Sequence, residues 1–503
     1  MGVLNEILAN SESVFDETVL EQLGIMEPLV MFSALLLHLE SAGPDYLNLL
    51  GDLLLERCEK TGREGDMDRA ILAYKRAVQV TPTEDPMHGT YITDCGQALL
   101  ERFELSGNLD DAHDAIFMLG QDFCSAANDD DDFPRRLGVL GRAFGSRFGH
   151  TGDLADIENA ISNVQRAVEL TPHGHPNMPS RLNNLGNEFE SRFGLTGDLT
   201  DIENAISNFQ RAVELTPHGH ANMPSQLNHL GTAFKSRFGR TRDLADIENA
   251  ISNFQRAVEL TPHGHTDMPS RLNNLGSAFK SHFGHTRDLA DIENAISNVQ
   301  RAIEPTPSGH ADMPSWLNNL GVALRSRFGH TGDLADIENA ISNLQRAVEL
   351  TPHGHANMPS QLNNLGNAFQ SRFGRTGDLA DIQNAIFNLQ RAVELTPHGH
   401  ANMPSQLNNL GIAFKSRFGR TGDLADIENS ISNLQRAVEL TPHGHADMPS
   451  RLNNLSNAFE SRFGRTGDLA DIENAVSNFQ RAVELTPHGH PNMPFRLNSL
   501  GHS

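Results

Sequence analysis

Three cysteines are all that 503 residues contain, and Cys58, Cys95 and Cys124 crowd into the N-terminal quarter without metal-like spacing. An odd number so placed excludes a disulfide framework and suits a reducing compartment. Basic charge is also short. The formal net charge is -25, with the acid spread along the chain rather than gathered in a tail, so no basic stripe is available for nucleic acid or an anionic membrane. The single acidic run, Asp129 to Asp132, reads as a solvated turn between two helices. No apolar run approaches membrane-spanning length; the longest, Leu29 to Leu37, suits a buried helix. There is no signal peptide, and Met-Gly-Val-Leu-Asn-Glu lacks the Ser or Thr of a myristoylation site. No nucleophile elbow, phosphate-cradling glycine loop or paired CxxC occurs. These absences predict a soluble cytoplasmic protein that is not an enzyme, needs no cofactor or metal, and has no small-molecule substrate.

What is present is repetition. TGDLADIENA or a close variant begins at residues 151, 196, 241, 286, 331, 376, 421 and 466, a period of 45, and weaker copies begin at Thr61 and Ser106. Such a period signals stacked units, none of which buries its apolar face alone. Residues 1–45 differ in composition and are expected to form an N-terminal helical cap, 46–150 divergent repeats, and 151–503 near-identical ones, the last cut short.

One repeat shows the local physics. Leu154, Ile157, Ala160, Ile161, Val164, Ala167 and Val168 form an apolar stripe at helical spacing. Asp153 is placed to cap that helix, Asp156 to favour its dipole, and Pro172 to stop it. A second helix follows, with Pro179 in its first turn and Leu182, Leu185, Phe189 and Phe193 as its stripe; Gly194 is expected to close it in a left-handed cap. Gly186, costly inside a helix, is expected to admit a close neighbour, with Ala205 as the small partner. Each repeat is thus a helical hairpin, and no strand pattern appears.

Leu227, Leu230, Gly231, Phe234, Ala250, Phe254 and Pro262 follow the spacing of the tetratricopeptide pattern, with Leu in place of the usual Trp. The chain resembles a tetratricopeptide-repeat (TPR) array from about residue 46 onward. The extra length over the usual 34-residue unit is expected in the loops after Ser191 and after Pro172. The run from Arg451 to His490 resembles the arrays of fungal proteins that carry a caspase-like CHAT domain with a His-Cys dyad, and LNNLG resembles kinesin light chain repeats. The sequence given stops at Ser503 with no cysteine after Cys124, so protease activity is not carried over. The resemblance implies an all-α fold, a right-handed TPR-like superhelix of helical hairpins, acting as a protein-interaction scaffold. The alternative is the sensor arm of a CHAT-type protease or receptor that has lost its effector.

In this family the second helix of each repeat lines the concave face. Two rows there change between copies: Asn187, Thr232, Ser277, Val322, Asn367, Ile412, Asn457, and Glu190, Lys235, Lys280, Arg325, Gln370, Lys415, Glu460. Beside them runs a constant row, Asn183, Asn228, Asn273, Asn318, Asn363, Asn408 and Asn453. An amide offers a donor and an acceptor, which suits the main chain of an extended peptide. Resemblance to the asparagine ladders of kinesin light chains and O-linked GlcNAc transferase implies such a role. Amides that merely bridge neighbouring helices are the competing reading. The central bases Lys235, Lys280 and Arg325, with Lys415 further on, predict a partner peptide with acidic residues near its middle.

Seven His-Gly-His copies run from His173 and His175 to His488 and His490. Two imidazoles fall short of the four ligands of a structural zinc site, so a turn is expected, with histidine capping the preceding carbonyls and a metal buffer as the alternative. Asp153, Asp156 and Glu158 recur down the array, Gln383 being the one change among the near-identical copies, and read as first-turn acids rather than an active site. Trp316 replaces an Arg or Gln and reads as a neutral exposed change, or else a groove anchor. Pro305, Phe387 and Ser456 mark damaged copies, with opening expected near 305–310. The last helix, from Pro494, lacks a polar closing partner, which predicts fraying or self-association through that end.

Overall fold

The computed structural model describes residues 43–121, 132–486 and 492–502. The expected cap over residues 1–42, most of the acidic run, Cys124, and His488 with His490 lie outside the described residues. The chain divides into two compact units, one ending at Arg242 and one beginning at Asp243. Among the described residues every regular element is an α-helix.

The first unit contains α1 (Pro44–Thr61), α2 (Glu64–Val80), α3 (His88–Ser106), α4 (Leu109–Gly120), α5 (Phe133–Thr151), α6 (Leu154–Leu170), α7 (Met178–Thr196), α8 (Leu199–Leu215) and α9 (Met223–Thr241). The second contains α10 (Leu244–Leu260), α11 (Met268–Thr286), α12 (Leu289–Ile303), α13 (Met313–Thr331), α14 (Leu334–Leu350), α15 (Met358–Thr376), α16 (Leu379–Leu395), α17 (Met403–Thr421), α18 (Leu424–Glu439), α19 (Met448–Thr466), α20 (Leu469–Glu484) and α21 (Met493–His502). In the tight hairpins, such as α7–α8 and α13–α14, a longer A helix leads into a B helix, and each B helix packs on the next A helix.

The hairpin turn is shorter than the sequence suggests. Ser191 to Gly194 are helical, and the left-handed cap is Gly197 (φ 69°), whose N–H donates to the Phe193 carbonyl at 2.7 Å. The extra length after Ser191 therefore extends a helix rather than a loop. Asp198 then caps α8 by accepting from the Thr200 N–H at 3.0 Å, as Asp153 does for Ala155. Two copies put arginine at the left-handed position, Arg242 (φ 63°) and Arg287 (φ 60°).

A charge pair locks the turn. Arg192 reaches nine residues forward and donates twice to Asp201, Nε to Oδ2 at 2.9 Å and Nη2 to Oδ1 at 2.6 Å. The same bidentate pair joins Arg147 to Asp156, Arg327 to Asp336, Arg372 to Asp381, Arg417 to Asp426 and Arg462 to Asp471. Asp156 is thus a buried ion-pair partner; Asp153 remains a cap and Glu158 is exposed. In the copy with His282, the ring Nδ1 meets Asp291 at 2.7 Å instead.

At Gly276, Gly321 and Gly366 an added Cβ would meet the backbone carbonyl of Ala295, Ala340 and Ala385, the counterparts of Ala205, at 2.9–3.1 Å. Gly186 likewise admits a close neighbour. A Cβ there would lie 2.6 Å from the Phe209 ring, so the glycine seats an aromatic ring from the B helix. Leu182 and Phe209 are fully buried beside it. Ser456 fills the equivalent position by turning its hydroxyl back to the Leu452 carbonyl at 3.0 Å.

Between hairpins, the second histidine of His-Gly-His builds the turn forward. His220 Nδ1 accepts the Asn222 N–H at 3.1 Å while Gly219 takes φ 81°. The preceding carbonyl is instead met by threonine, as Thr216 Oγ1 donates to Ala212 O at 2.8 Å. At this turn Gln226, Gln361 and Gln406 bond the threonine hydroxyl of the preceding loop, as do Arg271 and Arg451. Trp316 takes that place in one copy. It is 3% exposed and stacks on His310 with centroids 5.1 Å apart, so it is a packing residue rather than an exposed or groove-facing one. Pro305 ends α12 at Ile303, and the inter-hairpin cleft there measures about 1000 Å³, against about 450 and 410 Å³ in two later copies.

Candidate ligand-binding face

The asparagine row occupies one side of the A helices. Its members are half-buried except Asn453, which is buried. The carbonyls of Asn183, Asn273, Asn318, Asn363 and Asn408 are already engaged. Asn319 Nδ2 donates to Asn273 Oδ1 at 2.9 Å, and Asn364, Asn409 and Asn454 donate likewise to Asn318, Asn363 and Asn408 at 3.0 Å. In the first unit His229 Nδ1 meets Asn183 Oδ1 at 2.9 Å. A divergent forerunner links Asn48 Nδ2 to Asp94 at 3.0 Å. Each link spans 46 residues, one more than the period, so it joins the constant row of one repeat to the following position of the next. Asn453 Oδ1 is buried without a partner, and residue 499 is Ser instead of Asn. The bridging reading of these amides therefore describes their carbonyl ends. The Nδ2 groups of Asn273, Asn318, Asn363 and Asn408 make no hydrogen bond among the described residues.

The charged row lies about two helical turns further along the same helices. In the first unit Glu190 accepts from Ser236 Oγ at 3.1 Å, and burial pushes its carboxyl up to about 7 against the pull of Lys235. In the second, burial lowers the Lys280 ammonium and the positive Arg325 lowers it further. Arg325 is likewise lowered by burial, and its Nε is buried with no hydrogen-bond partner. Neither forms an ion pair among the described residues. Lys415 is lowered by burial but faces Glu460, which counters the effect. Gln370 reaches Ser416 Oγ at 3.5 Å.

Sequence reading passed over Glu188. Six later copies have alanine there, Ala233, Ala278, Ala323, Ala368, Ala413 and Ala458. Glu188 is 8% exposed, and burial alone pushes its carboxyl up to about 8. Room for it comes from Gly145, where a Cβ would lie 2.4 Å from Glu188 Oε2. The signal was available: a glutamate in an alanine column, opposite a glycine in a column of long side chains.

Among the described residues no cluster of three or more His, Cys, Asp or Glu side chains is arranged to hold a metal. Cys95 is buried, with its thiol pushed up to about 12. No helix of the described residues is long and apolar enough to cross a membrane.

No family model matches the chain, and no curated protein matches it. Solved structures do. A human IFIT1 dimer with m7Gppp-AAAA superposes with TM-score 0.51 at 13% identity, covering 91% of this chain and 94% of that one. The crystal structure of a kinesin light chain from Podospora anserina, with nearly identical TPR-like repeats, gives TM-score 0.33 at 14% identity over 44% of this chain and 97% of its own. The TPR protein YrrB gives 0.29 at 16%, over 47% and 93%. The fold is an all-α, TPR-like array of stacked helical hairpins. At these identities the likeness concerns the fold alone.

Proposed function

We propose that this TPR-like array is a non-enzymatic scaffold that holds an extended segment of a partner protein along the A-helix face. The observation that supports it most is the row of outward amide donors on Asn273, Asn318, Asn363 and Asn408, whose carbonyls are fixed by the next repeat. Fixing one end of an amide orients the other at no further entropic cost on binding. Regularly spaced donors suit the carbonyls of a peptide backbone. The two variable rows lie one and two helical turns further along the same helices, so selection among partners falls to them. The IFIT1 neighbour holds a capped oligonucleotide, which makes nucleic acid the competing class of ligand. The net charge of -25 favours the peptide.

Photo-crosslinking tests this reading. Benzoylphenylalanine placed singly at Ser277, Val322 and Asn367 is expected to label successive short segments of one partner chain in cell extract. The same probe at Ser297, on a B helix, serves as control. Labelling that maps to unrelated proteins at each position, or only from the control, would sink the proposal.

A further inference from the structure

In the second unit, successive charged residues of the variable row differ in sign or are separated by a neutral residue, with one exception. Lys280 on α11 and Arg325 on α13 are the exception. They occupy the same position in successive repeats, on A helices in direct contact, and share a half-buried stretch of the face. An ammonium and a guanidinium taken partly out of water, repelling one another and with the Arg325 Nε unbonded, leave the face with uncompensated positive charge. An incoming anion repairs this defect.

Geometry narrows the anion further. Packed helices lie roughly 8–10 Å apart, so that is the spacing between equivalent positions of α11 and α13. A β-strand advances roughly 3.3 Å per residue and alternates its side chains, so residues three apart span the distance but point to opposite sides. Polyproline II advances about 3.1 Å per residue with three residues per turn. Residues three apart then lie about 9 Å apart on the same side, and carbonyls recur at the same interval. The outward amides of Asn273 and Asn318 keep the same helix-to-helix spacing.

We propose that the second unit binds a polyproline II segment carrying acidic side chains three residues apart, one carboxylate at Lys280 and the other at Arg325, with the asparagine amides donating to its carbonyls. The assignment rests on the A-helix face being the binding surface, and adds conformation and spacing to it.

The test uses the full chain and fluorescein-labelled proline-rich peptides read by anisotropy. One peptide has Glu at positions i and i+3, one at i and i+2, and one has Gln at both. The first is expected to bind at least tenfold more tightly than the other two, as two charge-assisted contacts require. The variant Lys280→Gln/Arg325→Gln should abolish that preference while keeping its helicity by circular dichroism, since it removes buried charge. Equal binding of all three peptides, a preference for i and i+2, or a preference unchanged in the variant overturns the proposal. So does tighter binding of a 5′-triphosphorylated oligoribonucleotide that displaces the peptide from the native chain but not from the variant. The crosslinking at Val322 separates the two levels. A partner segment labelled there that lacks paired acids removes this inference and leaves the scaffold; no labelled segment removes both.

Discussion

Replacing Glu188 by alanine should make the first unit more stable at alkaline pH and less stable at acidic pH. The carboxyl moves from an ordinary value of 4.5 to about 8 on folding, because burial disfavours its charged form. The folded state thus holds the proton more tightly than the unfolded one. That stability is present below the unfolded value and is lost as pH rises towards 8. Between pH 5.5 and pH 8 the loss is about 3 kcal/mol, at about 1.4 kcal/mol per unit. Removing the side chain also leaves a void beside Gly145, which costs about 1–2 kcal/mol at any pH. The two effects have opposite sign and different pH dependence, so the stability difference between variant and native chain should change sign between about pH 5 and pH 6.

Hydrogen exchange followed by mass spectrometry on α7 is the suitable assay, since defects in stacked repeats act locally. The opening free energy of the segment 178–196 would be compared in native chain, Glu188→Ala and Glu188→Gln, after correction for intrinsic exchange. The glutamine variant, which keeps the volume without the charge, should exceed the native chain by about 1.4 kcal/mol at pH 5.5, and that margin should grow by about 3 kcal/mol on going to pH 8. Curves that stay parallel within about 1 kcal/mol over that range would show that the carboxyl is not desolvated.

Other expectations concern single copies. Arg287→Gly should stabilise the α11–α12 turn by about 0.5–1 kcal/mol, as relief of the left-handed strain outweighs loss of the stack on Phe283; urea unfolding of the second unit, read from Trp316 fluorescence, checks it. Pro305→Leu should restore the last turn of α12, shrink the neighbouring cleft towards the 410–450 Å³ of later copies, and slow limited proteolysis at residues 303–310. Phe234→Ala should cost about 3–5 kcal/mol, visible as lost exchange protection in α9. Asn318→Ala should cost about 1 kcal/mol of local stability by stranding the Asn364 amide, and should weaken any ligand held by the row beyond that loss.

How far these features could be read in advance depends on what repetition hides. The period, the apolar stripes, the Asp153 cap and the Pro179 start follow from single residues acting on their own backbone, and near-identical copies reinforce such signals. The Arg192–Asp201 pair is different. Both residues recur in almost every copy, so nothing in their variation couples them, and nine residues of separation matches no single-helix spacing; only the hairpin turn brings them together. Gly194 reads as the stop in sequence, whereas the cap falls on Gly197, because the choice depends on which carbonyl the turn leaves open. Trp316 looked exposed because arginine and glutamine usually are, whereas at this position their heads are tied down to a buried threonine. Glu188 and Gly145 were legible as a matched pair of exceptions, one repeat apart.

The offset of 46 in the asparagine links has a consequence for how the two kinds of row divide the work. Because each constant asparagine accepts from the position after its counterpart, every link in the second unit runs the same way and leaves an N–H group outward. A file of like donors attracts carbonyls without regard to sequence, as backbone carbonyls are the same in every peptide. On the proposed reading, affinity from the constant row is therefore general, and discrimination has to come from the changing row. There the like-charged neighbours of the second unit, Lys280 and Arg325, are where an acidic ligand changes the energy most, since Lys415 already has Glu460 and Glu190 already has Lys235. Exchanging Arg325 for Glu would give Lys280 an internal partner. It should weaken the paired-acid peptide by at least tenfold while leaving the asparagine links, and the weak binding of the Gln peptide, unchanged.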